Sequence, residues 1–311
     1  MSRPERFTVV APLPTHGEWR RVLAIDRSGA DAHAVVLAHV PHAVLDDPAR
    51  LAALVRDVEA AGRLHHPSAV PVLGTQTLDD GLVVVETHRP GTNLRALLDA
   101  GGRLPPDVAV RVAIDACGAV GRAHTLDAGD GKKLVHGAIR PERILVGEDG
   151  GALVMGFGTG APAEPADDVR ALAAVLHECL AGEPPGSPPS SLEEAGVSSV
   201  LAAAVARGLG AAPYAPSSPA ALVEAVVAAG TVASHSDVAA YVDAILPPGE
   251  GARGELSRAL AAAMGGGGDA EEISPDYIVE PTDPAVRPAE PTPEPMPRPP
   301  STRPGADPAG V

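Results

Sequence analysis

His136-Gly137-Ala138-Ile139-Arg140-Pro141-Glu142-Arg143-Ile144-Leu145 is the stretch on which the reading of the fold turns. Glycine and proline punctuate its first half, which reads as an irregular loop, and the apolar Ile144-Leu145-Val146 that closes it reads as a strand. Glu148-Asp149-Gly150-Gly151 supplies turn residues, and Ala152-Leu153-Val154-Met155 a second short strand, so the segment predicts a β-hairpin. Gly156-Phe157-Gly158 follows directly. Beyond it a helical pattern runs from Asp168, an acidic residue suited to the N-cap, to Ala181, with Gly182 placed to end it.

Upstream, from Arg6 to about Val85, β-type runs predominate: Phe7-Thr8-Val9-Val10, Val22-Leu23-Ala24-Ile25, Ala34-Val35-Val36-Leu37 and Leu82-Val83-Val84-Val85. One helix interrupts them, roughly Pro48 to Leu64, with Leu51, Leu54, Val55 and Val58 on one face and His66-Pro67 ending it. From Asn93 to about Gly230 the pattern turns helical, with helices expected at Leu94–Leu98, Pro106–His124, Val197–Leu209 and Ser218–Ala229 besides the one at Asp168. Two more, Asp237–Leu246 and Gly254–Met264, are split by Pro247-Pro248-Gly249. After Gly265-Gly266-Gly267-Gly268 the composition shifts to Pro, Glu, Asp and Thr, which cannot bury enough surface to offset ordering entropy, so 265–311 is expected to be a disordered tail.

The 311 residues are 45% hydrophobic but only 2% aromatic, so the core must be built from Ala, Val and Leu. A formal net charge of −16 repels phosphate backbones and anionic lipid, and no basic stripe offers a local exception. Nucleic acid and membrane are therefore excluded as expected partners. Cys117 and Cys179 stand alone in apolar helical patterns and read as buried thiols, and no apolar run of spanning length or signal-like N-terminus is seen, which predicts a cytoplasmic protein.

The order of elements and four local matches resemble the protein kinase superfamily, in its bacterial serine/threonine form. Arg63-Leu64-His65-His66-Pro67 resembles the step from helix C to the fourth strand. The quoted loop resembles the catalytic loop H-R-D-L-K-P-x-N-I-L, Gly156-Phe157-Gly158 falls at D-F-G, and Asp168-Val169-Arg170-Ala171-Leu172 with Leu180-Ala181-Gly182-Glu183-Pro184-Pro185 resembles the helix F run. Leu126 to Lys133 resembles an insert of a bacterial subgroup. The resemblance implies an α+β, two-lobed fold: a β-rich N-lobe with one helix (1–85), a mainly helical C-lobe with a shortened activation segment (86–230), a C-terminal helical extension (231–264) and the tail.

Phosphoryl transfer depends on positioned charges: a lysine on the phosphates, a glutamate holding it, two metal ligands and an aspartate orienting the hydroxyl. By the resemblance the lysine position is Leu37, with Val36 the next register, and the helix C glutamate position is Asp57. Lys132 and Lys133 are the only lysines in the chain. The catalytic aspartate position is Ala138, the amide metal-ligand position Arg143, and the D-F-G aspartate position Gly156. A cation thus stands where a cation should bind, so no magnesium site is expected. The glycine-rich loop maps onto Pro14 to Trp19 with only Gly17 kept, and His16 and Trp19 are expected to obstruct phosphate. Only Thr159 to Asp167 separate Gly158 from Asp168, too few for a peptide platform, and the arginine that would pair with the platform's glutamate falls at about Ala215.

What remains reads as structural: His136 and Phe157 in a pillar between the lobes, Gly158 beside them, and Asp168 accepting from catalytic-loop backbone. The implied function is a catalytically inactive pseudokinase that binds or regulates an active kinase or another signalling protein, with no cofactor. The alternative is a residual serine/threonine kinase or ATP-binding switch that uses the backbone hinge at Glu86, Thr87 and His88. Beside these stand plainer readings: His65, His66 and His136 as core histidines rather than ligands or bases, Asp167 and Asp168 as helix caps, Thr92 to Leu97 as a capped helix rather than a ribose contact, and Arg140 and Arg143 as solvated side chains or, alternatively, an anion clamp. The tail reads as a linker, with Pro295 to Pro300 a candidate for a proline-binding groove.

Overall fold

The computed structural model describes residues 6–29, 31–129, 131–186, 190–210 and 215–265; the expected tail beyond Gly265, Pro295 to Pro300 included, lies outside them. The N-terminal lobe is an antiparallel sheet of β1 (Phe7–His16), β2 (Trp19–Asp26), β3 (His33–His39), β4 (Val72–Leu78) and β5 (Gly81–Thr87). Its order is β1-β2-β3-β5-β4. Between β3 and β4 come a single turn, α1 (His42–Leu45), and α2 (Pro48–Ala61). Asp47 caps α2 by accepting from the amides of Ala49 and Arg50, with Pro48 at the first helical position where its missing N–H costs nothing.

The sheet is apolar on both faces, and the faces serve different cores. Leu37, Val35, Val83 and Val85 pack with Phe7, Val22 and Ala24 in a small outer core. Ala38 and Val84, on the other face, join Leu54 and Val58 of α2 in the main core that continues into the second lobe.

The second lobe starts with β6 (Gly91–Asn93), α3 (Leu94–Gly101) and α4 (Pro106–Ala123). Thr92 lies in a strand, and Asn93 caps α3 through the Ala96 amide at 2.7 Å. A small hairpin, β7 (Asp127–Gly129) with β8 (Lys132–Lys133), packs on α2. Then β9 (Ile144–Gly147) pairs with β10 (Ala152–Val154) on one side and with β6 on the other. The helices α5 (Pro165–Ala181) and α7 (Pro219–Val227) pack on α4, α6 (Ser199–Gly208) packs on both of them, and α8 (His235–Ile245) and α9 (Gly251–Gly265) follow within the described residues. One correction concerns α5. It begins at Pro165, with Glu164 and Asp167 forming the capping box, so Asp168 is not its cap but lies in its first turn.

Candidate functional site

Asp168 is almost fully buried and faces the loop before β9. Its Oδ2 accepts from the amide of His136 at 2.8 Å and from His124 Nε2 at 2.9 Å, and its Oδ1 accepts from the amide of Gly137 at 2.9 Å. Two loop amides and the histidine that ends α4 are thus tied to the first turn of α5, where a negative charge also complements the helix dipole. His136 is fully buried and meets Phe157 edge to face, ring centroids 4.9 Å apart. Its Nδ1 accepts from the Ala138 amide at 3.2 Å, so Nε2 carries the proton and donates to Met155 O at 3.0 Å. Burial above all, with Arg143 nearby, pushes its pKa down to about 4, and the ring is neutral at physiological pH. Both nitrogens are committed, so His136 has no free lone pair for a general base.

The loop then closes on itself through charge. Arg143 ends a 3₁₀ turn, Pro141–Arg143, and its side chain enters the interior at 3% exposure. Its Nη1 donates to Gly156 O at 3.2 Å and to Thr159 Oγ1 at 2.6 Å. Glu86 reaches the same point from β5: also buried, it accepts from the Gly156 amide at 2.7 Å. Arg21, from β2, stands 3.9 Å from the Glu86 carboxylate and donates to the Met155 sulfur at 3.2 Å. Burial lowers the Arg143 pKa to about 10, with Glu86 opposing and Arg140 and Arg21 reinforcing the fall, which leaves it charged at neutral pH.

Arg21, Glu86, Arg143, Met155 and Thr159 therefore form one buried polar plug that joins the two lobes. Gly156 is required by it. Its φ is +85°, and a Cβ there would collide with the Arg143 guanidinium. A side chain at 156 and the buried guanidinium of Arg143 thus exclude one another.

Backbone closes on the loop from a second side. The segment after Gly158 lies directly on the loop: a Cβ on Gly137 would strike Ala161 O, and one on Gly160 would strike His136 O. The β1–β2 turn points toward the loop: a Cβ added to Gly17 would come to 3.7 Å from Arg140 Nη2. Trp19 packs on the main core, and the side chain of His16 lies outside the described residues.

Leu37 needs a correction as the lysine position. Its side chain belongs to the outer core, away from the cleft, whereas Val36 is paired with Glu86 and shares its face. The cleft-facing register is therefore Val36. Asp57, half-buried, pairs at 3.6 Å with its neighbour Arg56, and burial raises its pKa. At the hinge, the Thr87 amide donates to Pro71 O at 3.0 Å and the His88 amide to Ala34 O at 3.1 Å, while the Glu86 side chain turns inward. Those two donors are already used within the fold. Ala138 offers only a methyl group, and Arg140 is 42% exposed beside Glu142 at 3.8 Å. Ala215 is described, but Pro213 and Tyr214 before it are not.

These residues do not fit a metal-bound nucleotide. Among the described residues no group of three or more His, Cys, Asp or Glu is placed to hold a metal ion. Residue 143, expected from the resemblance to be a metal-ligand position, carries a guanidinium already hydrogen-bonded to Gly156 O and Thr159.

No protein-family model matches the chain. Its architecture is that of a protein kinase domain: the Mycobacterium tuberculosis PknI kinase domain superposes with a TM-score of 0.59 at 20% identity, covering 73% of this chain and 96% of that one. In sequence, a probable serine/threonine-protein kinase of Corynebacterium efficiens is 29% identical over 164 residues, 42% of this chain and 24% of its own length. The serine/threonine-protein kinase PknE of Mycobacterium tuberculosis is 28% identical over 179 residues, 49% of this chain and 31% of its own length. The chain thus matches about a quarter to a third of these curated relatives. Fold and sequence likeness together place it in the protein kinase superfamily. Within that superfamily its likeness is to bacterial serine/threonine kinases. Among the described residues no helix is long and apolar enough to cross a membrane.

Proposed function

We propose that this protein kinase domain is a pseudokinase: it neither binds metal-ATP nor transfers phosphate, and it acts as a protein-interaction or regulatory module in signalling. The observation that carries the proposal is the buried Arg143 guanidinium, held by Gly156 O and Thr159 where the fold family needs a metal ligand. Losing one preorganised electrostatic group costs about a hundred- to a thousandfold in rate, and here lysine, aspartates and metal ligands are missing together. A partner protein, an active kinase or another signalling protein, then supplies the function, and the −16 net charge favours a cytoplasmic, protein-directed role over nucleic acid or membrane.

Incubation of the purified chain with radiolabelled ATP, magnesium or manganese and generic protein substrate tests the first half. No label on chain or substrate is expected. Label that disappears when Thr159 or Arg143 is substituted would overturn it. Affinity purification from native lysate against a surface-charge-matched control tests the second half, and the lack of any reproducible partner would count against it.

A further inference from the structure

The last two helices among the described residues, α8 and α9, belong to neither the plug nor the expected kinase pattern. α8 is seated on the second lobe by buried Val238 and Val242 and by polar contacts. His235 Nε2 meets Asp115 Oδ2 at 3.0 Å, and the same oxygen accepts from the Ala152 amide at the start of β10, also at 3.0 Å. The β9–β10 turn lies against α8 so closely that a Cβ on Gly150 would overlap His235 O. The chain then reverses at Pro247-Pro248-Gly249, and Gly254 lets α9 fold back over that turn, where a Cβ would overlap Gly249 O. Arg253, largely buried, locks the reversal: it donates to Asp243 Oδ1 at 2.9 Å and to Leu246 O at 3.2 Å and stands 3.7 Å from Glu148 of the β9–β10 turn.

The other end of α9 leaves this lobe and packs on β1 of the first. Its anchor there is Arg27. That guanidinium donates to Ala263 O at 3.2 Å and, through Nε, to Thr8 Oγ1 of β1 at 3.2 Å, while the Arg27 amide donates to Arg6 O at 2.8 Å. Ala263 lies in the last turn of α9, where carbonyls have no partner within the helix and the dipole favours a cation, so Arg27 caps the helix from the opposite lobe.

We propose that α8 and α9 are an interlobe strap that holds the N-lobe down on the C-lobe and keeps the polar plug dry, with the Arg27–Ala263 contact as its release point. The inference rests on the closed-cleft reading above, but its test does not involve nucleotide. The contacts differ in cost. The α8 end is buried and cooperative, whereas the α9 end is exposed and held by few hydrogen bonds, so it opens first.

Hydrogen–deuterium exchange on the full chain tests this, comparing the native protein with Arg27→Ala and Arg27→Glu. Exchange in the buried helix α5 reports global stability and serves as the internal reference. The expected result is faster exchange in α9 accompanied by an acceleration of about tenfold or more in the plug segments around Arg21 and Met155 to Thr159, with α5 unchanged. Arg253→Ala, which loosens the reversal, is expected to act in the same direction. Acceleration confined to α9, with the plug segments unchanged in every variant, would overturn the proposal and leave α9 as mere surface packing. Should Arg27→Glu unfold the chain, Arg27→Ala and Arg253→Ala carry the same comparison.

Discussion

Gly156→Ala probes the steric exclusion at the cleft with one methyl group. At φ +85° an L-residue carries a backbone penalty of about 1–2 kcal/mol, whatever surrounds it. The new Cβ would also overlap the Arg143 guanidinium, whose 3% exposure leaves it nowhere to swing, and overpacking of this kind costs about 1–3 kcal/mol. The substitution should therefore cost about 2–5 kcal/mol in all. In an Arg143→Ala background the overlap with the guanidinium disappears, and the backbone penalty remains with only a close approach to Thr159 Oγ1, so the same change should cost about 1–2 kcal/mol. Urea denaturation of the four proteins of this cycle measures the difference, provided the slope of the transition is unchanged. A coupling of about 1–3 kcal/mol is expected. Equal costs in the two backgrounds would refute the claim that the glycine exists to admit the arginine.

Acid should loosen the fold through His136. Its folded pKa of about 4 lies below the ordinary histidine value of about 6.5, so the unfolded chain takes up the proton first as pH falls. Stability present above pH 6.5 is then lost progressively down to about pH 4, roughly 3 kcal/mol in all, and His136→Leu should flatten that part of the pH–stability curve; an unaltered slope would contradict the assignment. Asp168→Asn leaves a single side-chain oxygen for three donors and turns an amide toward one of them. It should lower stability by about 3 kcal/mol, read from chemical denaturation, and a loss under 1 kcal/mol would show that the loop is held elsewhere.

The sequence carried the architecture where local chemistry is strongly directional. The Glu148-Asp149-Gly150-Gly151 turn and its apolar flanks define the β9–β10 hairpin, and the long 3.6-residue patterns define α2, α4 and α5. Reading failed where apolar residues occur on both faces. Val35, Val36, Leu37 and Ala38 are all buried, so alternation does not say which of them faces the cleft, and the face expected of Leu37 belongs to Val36. The Asp167-Asp168 pair misled for a related reason: either carboxylate suits a helix start, and only the register of α5 shows that Glu164 caps while Asp168 turns inward.

The plug itself was only half legible. Arg143 stands out in the sequence as a cation in an expected metal-ligand position, whereas Glu86 reads only as hinge backbone and Arg21 carries no motif. A signal was present in both. A carboxylate at the end of Val83-Val84-Val85 and a guanidinium before Val22-Leu23-Ala24-Ile25 interrupt runs that are otherwise buried, and opposite charges in two such runs imply a partner. Which strands would bring them together depends on the sheet order, and that is a tertiary fact.

The most direct test of the closed cleft is calorimetric titration of the full chain with ATP, with and without magnesium. No saturable heat is expected into the millimolar range and no difference between the two conditions, because Arg143 and Gly156 offer no carboxylate or amide ligand for the ion. Magnesium-dependent binding at micromolar affinity would contradict that expectation.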